Sequence, residues 1–181
     1  MAPKTLQTLA KTYAFVINPL INLPVFLWID PAYDNLSYIG NTLGRPWYLF
    51  LWAVSSCLGM YFFARSIWKK YRISWNTVFH RLICCGMPFS CIIPYSDSLP
   101  GIINDLHVWI AVVCVGLYIF EWIRTMFDPV FTTSGSYHTL CILLLAVFAA
   151  SFLCMSAAGH VNALCEVSFS VLVNMVLSCF V

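Results

Sequence analysis

The residues best suited to chemistry in this sequence lie on one face of a central apolar segment. His107, Ala111, Cys114, Tyr118 and Glu121 recur at spacings of three and four, so a helix would present them on one side. The opposite face carries valine and isoleucine, which suits contact with lipid. Ionisable side chains inside an apolar helix are costly and are therefore candidates for function. The pattern predicts that the histidine and the glutamate both point into the interior. The simpler alternative is that His107 only hydrogen-bonds to a neighbouring helix.

The four histidines of the chain are also spaced in a way that suits haem. His80 and His138 lie towards one end of their predicted helices, and His107 and His160 lie towards the other. Neutral imidazole is a good ligand for haem iron, so the pairs His80/His138 and His107/His160 could ligate two b-type haems. Against this, His160 follows Gly159 in a tight turn and is expected at the edge of the bundle. The sequence leaves this alternative open.

Polar residues also gather on one rim of the predicted helices. A histidine and carboxylate group beside a membrane could bind a metal and activate water for attack on a lipid ester. The spacing His-x-x-x-His is missing, and a polar collar that holds a loop is the alternative. Asp105 is two residues from His107, roughly 200° around a helix, so the two do not share a face. The candidate ligand-binding residues are Ser37, Asn41, Asp105, His107, His160 and Glu166, accompanied on the rim by Asp30, Asp34 and Asp97.

The composition determines which solvent these residues meet. Of the 181 residues, 61% are hydrophobic and 9% are charged. Soluble domains carry about 25% charged residues, so a soluble domain is excluded, and so is a disordered chain. The net charge of +2, without a long basic cluster, excludes nucleic acid as a partner. The nine cysteines lie in or beside apolar runs and form no Cys-x-x-Cys pair, which favours packing over disulfide bonds.

Six apolar segments approach the length of a membrane crossing. A crossing takes about 20 residues, and a helix satisfies its own backbone hydrogen bonds in hydrocarbon. Pro19 and Pro24 interrupt the first segment and predict a kink there. The sequence predicts an all-α fold, a single bundle of six transmembrane helices over residues 1–181. The predicted spans are residues 13–29, 47–68, 73–93, 102–123, 137–155 and 161–181.

The basic residues predict how this bundle is oriented. Eight of the nine lysines and arginines fall on one side of the six-span arrangement, and only Arg45 falls on the other. The positive-inside rule then places both termini in the cytoplasm. We expect a multi-pass protein of the cell membrane. Its connections are too short for a folded extramembrane domain, so any site must lie in the bundle or on its outer rim.

Two short segments resemble a known group of membrane proteins. Ser37-Tyr38-Ile39-Gly40 lies in the loop after the first span, and Pro94, Leu106-His107 and Ala111 join the third and fourth spans. They resemble the six-span group that includes the damage-regulated autophagy modulators, the yeast suppressor-of-four-kinase membrane protein and the GPI-anchor remodelling factors, and above all its uncharacterised bacterial relatives. Leu36 stands where the pattern prefers isoleucine. The resemblance implies that the loop with Ser37 packs against His107, and that the protein is tied to lipids.

Together these features predict an integral membrane protein with an outward-facing polar cavity that binds, senses or remodels a membrane lipid, without a cofactor. One alternative is the di-haem electron carrier. Another is a non-enzymatic subunit whose helices dock on a partner membrane protein. The sequence lacks the common nucleophile-elbow, zinc-protease and phosphate-loop motifs, so it assigns no reaction.

Overall fold

The computed structural model describes residues 3–95 and 99–181, so Asp97 of the predicted rim lies outside the described residues. The described residues form helices joined by short turns, and no β-strand occurs among them. The α-helices are α1 (Pro3–Thr12), α2 (Asn18–Asn22), α3 (Val25–Trp28), α4 (Leu36–Asn41), α5 (Pro46–Lys70), α6 (Thr77–Ser90), α7 (Gly101–Met126), α8 (Pro129–Thr132), α9 (Tyr137–Ala158) and α10 (Ala163–Ser178).

Helices α1 to α3 form one interrupted segment, as the two prolines predict. A π-helical turn over Tyr13–Ile17 joins α1 to α2, and a turn ending at Pro24 separates α2 from α3. The helix begins at residue 3, ten residues before the predicted start. Asn22 is buried here, and its side-chain amide donates to the carboxamide oxygen of Asn18 at 2.8 Å. The indole of Trp52 on α5 donates to Asn22 at 2.8 Å, which ties the interrupted segment to the bundle.

Four helices are long and apolar enough to cross a membrane. They are Lys4–Trp28, α5, α7 and α9, and no others were found among the described residues.

The 14 residues of α6 and the 16 of α10 measure about 21 and 24 Å at 1.5 Å per residue. Helix α6 begins later than predicted and α10 begins within two residues of its predicted start, and an asparagine caps each: Asn76 accepts from two backbone amides of α6, and Asn162 accepts from Cys165. The fold is thus membrane-type and all-helical.

Helix α5 lies at the centre of the packing. It contacts α2, α4, α6 and α10, while α7 packs on α6 and α9 packs on α10. Gly59 on α5 lies so close to Asn174 on α10 that a side-chain carbon at position 59 would overlap the carboxamide. The side-chain amide of Asn174 donates to the backbone oxygen of Ser56 at 3.1 Å. Small residues therefore allow the close helix approach that membrane bundles require.

The two ends of the bundle differ in their residues. At one end Lys70 donates to the backbone oxygen of Phe180 at 2.9 Å, and Arg124 donates to that of Ser74 at 2.8 Å. The end of α5, the end of α7 and the C-terminus therefore meet there. The connection 29–45 lies at the other end, where the sequence predicted a loop and the structure has α4. Leu36 and Ile39 of α4 are fully buried, which fixes the position of the polar residues beside them.

Candidate functional site

The centre of the candidate site is a hydrogen bond between Ser37 and His107. The hydroxyl Oγ of Ser37 lies 2.9 Å from Nε2 of His107. The other ring nitrogen, Nδ1, lies 2.8 Å from the backbone oxygen of Ser90 and 3.0 Å from that of Ile93. A carbonyl oxygen only accepts hydrogen bonds, so the ring proton is on Nδ1. Nε2 therefore accepts from Ser37, and the expected contact between the connection that carries Ser37 and His107 is present.

The helices dictate the position of each partner. His107 is in the second turn of α7 and is buried, on the interior face that the spacing predicted. Ser90 ends α6, where backbone carbonyls lack partners within the helix, and the imidazole satisfies one of them. Asn35 caps α4 by accepting from Tyr38 at 2.9 Å, which starts the short helix that carries Ser37. Asp105 is on the exposed side of α7, as its angle from His107 predicted.

Hydrogen bonds of Glu166 on α10 and of Asn41 at the end of α4 fix the position of this short helix. One carboxylate oxygen of Glu166, in the first turn of α10, accepts from the backbone amide of Leu36 at 2.8 Å. The side-chain amide of Asn41 donates to the backbone oxygen of Ser37 at 3.0 Å. The carboxamide oxygen of Asn41 accepts from the backbone amide of Tyr95 at 3.1 Å. Ser37 is therefore positioned by contacts of α4 with α5, α7, α10 and the segment after α6 rather than carried on a free loop.

His160 lies at the edge of the same rim. Its Nε2 lies 2.7 Å from the backbone oxygen of Tyr33, and the two rings meet edge to face at 5.6 Å. Nearby, Ala163 donates to the backbone oxygen of Asp34 at 2.6 Å, and the side chain of Asn162 donates to that of Ala32 at 2.8 Å. The turn before α10 is thereby fastened to the connection before α4.

Two cavities have Ser37 in their lining. One, of about 350 Å³, is on the rim of the bundle and is lined by Tyr33, Asp34, Asn35, Ser37, Tyr38, Thr42, Tyr95 and His160. The other, of about 400 Å³, lies between α5, α6, α7, α9 and α10 and is mostly apolar. Ser37, Ser90, His107 and Glu166 line it, together with Ala111, Met87, Phe148 and Phe169 among others. Of the predicted candidates, Ser37, His107 and Glu166 come together, and His160 lies across the rim cavity.

The apolar cavity opens sideways between α7 and α9. These two helices pack mainly on α6 and on α10 respectively, which leaves space between them. Val112 on α7 and Phe152 on α9 line the cavity and are also 48% and 61% exposed. Val112, Val115 and Ile119 belong to the face that the sequence assigned to lipid, yet they form a cavity wall. The wall is therefore continuous with the lipid-facing surface of the bundle.

A second polar pair is buried at the other end of the bundle. Nδ1 of His80 on α6 lies 2.7 Å from a carboxylate oxygen of Glu121 on α7. Tyr61 stacks on the imidazole at 5.3 Å, and Trp68 meets it edge to face at 4.7 Å. The sequence singled out both residues but not their pairing, because it does not determine how α6 and α7 are rotated against each other. The available signal was that His80, near the start of α6, and Glu121, near the end of α7, lie at the same end of the bundle.

The histidines of the haem alternative have separate environments. His80 is buried against Glu121, and the ring of His138 is exposed beside that of Tyr137 at 5.0 Å. The ring nitrogens of His107 and of His160 contact backbone oxygens or Ser37. Haem ligation would therefore require these contacts to be exchanged. Within residues 3–95 and 99–181, no group of three or more histidine, cysteine, aspartate or glutamate side chains could hold a metal ion. The haem alternative stays a prediction.

Comparisons with known proteins add no assignment. No protein-family model, curated protein or solved structure matches the chain. The functional assignment therefore depends on the geometry of the chain's own residues.

Proposed function

We propose that this protein is a lipid-binding integral membrane protein whose apolar cavity receives an acyl chain while the lipid's polar end lies at Ser37 and His107. The observation that carries the proposal is the cavity of about 400 Å³ that opens between α7 and α9. Ligand cavities commonly measure about 300–1,000 Å³ and have apolar walls with a few convergent polar groups. A side opening suits a ligand that enters from the bilayer.

The polar end of the cavity supports the position of the lipid head. Ser37, Ser90, His107 and Glu166 line the cavity where α4 covers it. The rim cavity lies beyond Ser37 and contains tyrosines, Asp34 and His160. An amphipathic ligand would thus have its chain among apolar side chains and its head among hydrogen-bonding groups. This arrangement satisfies both parts of a lipid molecule.

We also propose six membrane crossings with both termini in the cytoplasm. The four long helices supply four crossings, and the apolar residues that flank α6 and α10 extend these shorter helices towards the thickness of the hydrocarbon. Lys70 and Arg124 lie at the same end of the bundle as the C-terminus. The positive-inside rule supports assigning that end to the cytoplasm and the Ser37 rim to the outer side.

Membership of the lipid-linked six-span group is part of the proposal. Its motif residues in this chain take related positions: Ser37 bonds to His107, Ala111 lines the cavity, and Gly40 packs against Leu49. In this reading the shared motif builds the polar end of a lipid site. The motif alone carries no catalytic mechanism.

The test is to purify the protein and identify bound lipid by native mass spectrometry. Gly116 lines the cavity, and a side-chain carbon added there meets no atom within 4 Å, so Gly116→Phe adds a ring at the cavity wall. We expect bound lipid to fall at least tenfold in Gly116→Phe. It should be unchanged in the control Val113→Phe, an exposed position on the same helix outside the cavity. Wild-type protein that binds no lipid would contradict the proposal and favour a docking subunit.

A further inference from the structure

Ser37 lines both the apolar cavity and the rim cavity, and its hydroxyl is hydrogen-bonded to an imidazole. We propose that Ser37 and His107 are an acyl-transfer pair that cleaves an ester-linked lipid. The inference rests on the proposed function, because the ester must first occupy the apolar cavity. It adds a reaction and a substrate class: an ester whose acyl chain lies in the membrane cavity and whose alcohol part lies in the rim cavity.

The geometry of the pair fits a serine activated by a base. A general base must lie about 2.6–3.2 Å from the atom whose proton it takes, and Nε2 of His107 lies 2.9 Å from Oγ of Ser37. The base must also be held in the correct tautomer by a third group. The backbone oxygens of Ser90 and Ile93 fix the proton on Nδ1, which leaves the lone pair of Nε2 facing the hydroxyl.

The two cavities place the two halves of an ester on opposite sides of the nucleophile. The apolar walls, including Met87, Phe148 and Phe169, suit an acyl chain. The rim cavity, with Asp34, Tyr38 and His160, suits a polar alcohol part and gives access from water. The carbonyl carbon that joins the two halves would then lie beside Ser37. Ser37 is the residue that both cavity linings share, so an ester that extends through both would pass this side chain.

The reaction would proceed in two balanced steps. Oγ of Ser37 bonds to the ester carbonyl carbon while its proton passes to Nε2 of His107. The bond to the alcohol part then breaks, and the leaving oxygen takes the proton from Nε2. Water, or the hydroxyl of a second lipid, next attacks the acyl-serine and gives its proton to Nε2. Ser37 leaves with that proton, so the pair is regenerated, and the net reaction turns one ester and one acceptor into the free alcohol and the acylated acceptor, which is the fatty acid when the acceptor is water.

A long-chain alkyl fluorophosphonate tests this inference on the full-length protein in detergent or nanodiscs. An activated serine displaces fluoride and forms a stable bond to phosphorus, which peptide mass spectrometry assigns to a residue. We expect modification at Ser37, none there in Ser37→Ala, and labelling slowed by about 100-fold or more in His107→Gln, since base catalysis contributes about 10²–10⁴-fold. Ser66→Ala is the control, because this hydroxyl lies outside the cavity and bonds to its own helix at 2.8 Å. In the Ser66→Ala variant, Ser37 should be labelled as fast as in wild type.

Each outcome separates the reaction from lipid binding. Wild-type protein that binds lipid but is not phosphonylated at Ser37 would overturn the acyl-transfer pair and leave the proposed function intact. Labelling of Ser37 that is equally fast in His107→Gln would also overturn it, because the serine would then not be activated by the imidazole. Protein that binds neither lipid nor probe would contradict both proposals. If Ser37→Ala does not fold, the modified residue in wild-type protein still decides the question.

Discussion

His80 and Glu121 form a buried hydrogen-bonded pair at the end of α6 and α7 opposite to Ser37 and His107. Nδ1 of the imidazole lies 2.7 Å from the carboxylate, and neither side chain is appreciably exposed. The helix pair α6 and α7 therefore has His107 at one end and His80 at the other. One faces a cavity and a hydroxyl, and the other is enclosed by Tyr61, Trp68 and Tyr118. The enclosed pair fits a structural role that holds α6 on α7.

Removal of one member of this pair should destabilise the bundle. Glu121→Ala leaves the buried imidazole without its acceptor, and we expect a loss of about 2–3 kcal/mol in the free energy of unfolding. Glu121→Gln keeps an acceptor oxygen and should lose less. Thermal unfolding in detergent measures both, with Phe120→Ala as the control because this side chain is 59% exposed on the same helix. Equal stability of Glu121→Ala and wild type would show that the pair does not hold the helices together.

The contact of Glu166 with Leu36 predicts that α10 keeps α4 in place. Glu166→Ala removes the acceptor of the Leu36 amide, which costs about 1–3 kcal/mol for a buried donor. We expect amide hydrogen exchange over residues 36–41 to become about 10- to 100-fold faster, since each 1.4 kcal/mol is a factor of ten. Hydrogen-exchange mass spectrometry in nanodiscs measures this change. Glu166→Gln retains the acceptor, so residues 36–41 should exchange as in wild type. Fast exchange of these residues in both variants would contradict the role of this hydrogen bond.

The sequence predicted the helices better than the contacts between them. The face with His107, Tyr118 and Glu121 is recognisable because helical spacing is a local property. The pairing of His80 with Glu121 was not predicted, because it depends on how two helices are rotated and packed. Asn76 and Asn162 could have indicated the starts of α6 and α10, since asparagine favours the N-cap. Hydropathy alone extended both helices past their caps.

The connection 29–45 shows the same limit more strongly. Ser37 and Gly40 were identified through a motif, but the short helix α4 that carries them was not predicted. Its six residues are stabilised by burial of Leu36 and Ile39, by contacts with α5, which follows it in the chain, and by contacts with α10, which is distant in sequence. Tertiary packing commonly overrides weak local preference in such short segments. The cavities depend on this packing too, so no spacing rule could locate them.

The close approach of Gly59 to Asn174 predicts a clear difference between two glycine substitutions. Gly59→Ala places a carbon against the carboxamide of Asn174, and we expect a loss of about 1–3 kcal/mol from overpacking. Gly116→Ala meets open space within a helix and should be neutral or more stable by roughly 0.5–1 kcal/mol. Thermal unfolding of both variants measures the difference. Equal effects would mean that α5 and α10 adjust freely at this contact.

The proposed orientation predicts that all four lysines, Lys4, Lys11, Lys69 and Lys70, face the cytoplasm. Each is exposed on the bundle, so an amine reagent that cannot cross membranes should label none of them on intact cells and all of them after permeabilisation. Thr42→Lys supplies the matched control, because residue 42 is exposed on the opposite rim and should be labelled from outside. Mass spectrometry of the labelled peptides reads each position separately. Labelling of Lys4 and Lys11 on intact cells, with Lys69 and Lys70 protected, would place the N-terminus outside the cell. The two termini would then lie on opposite sides of the membrane, which would contradict six crossings.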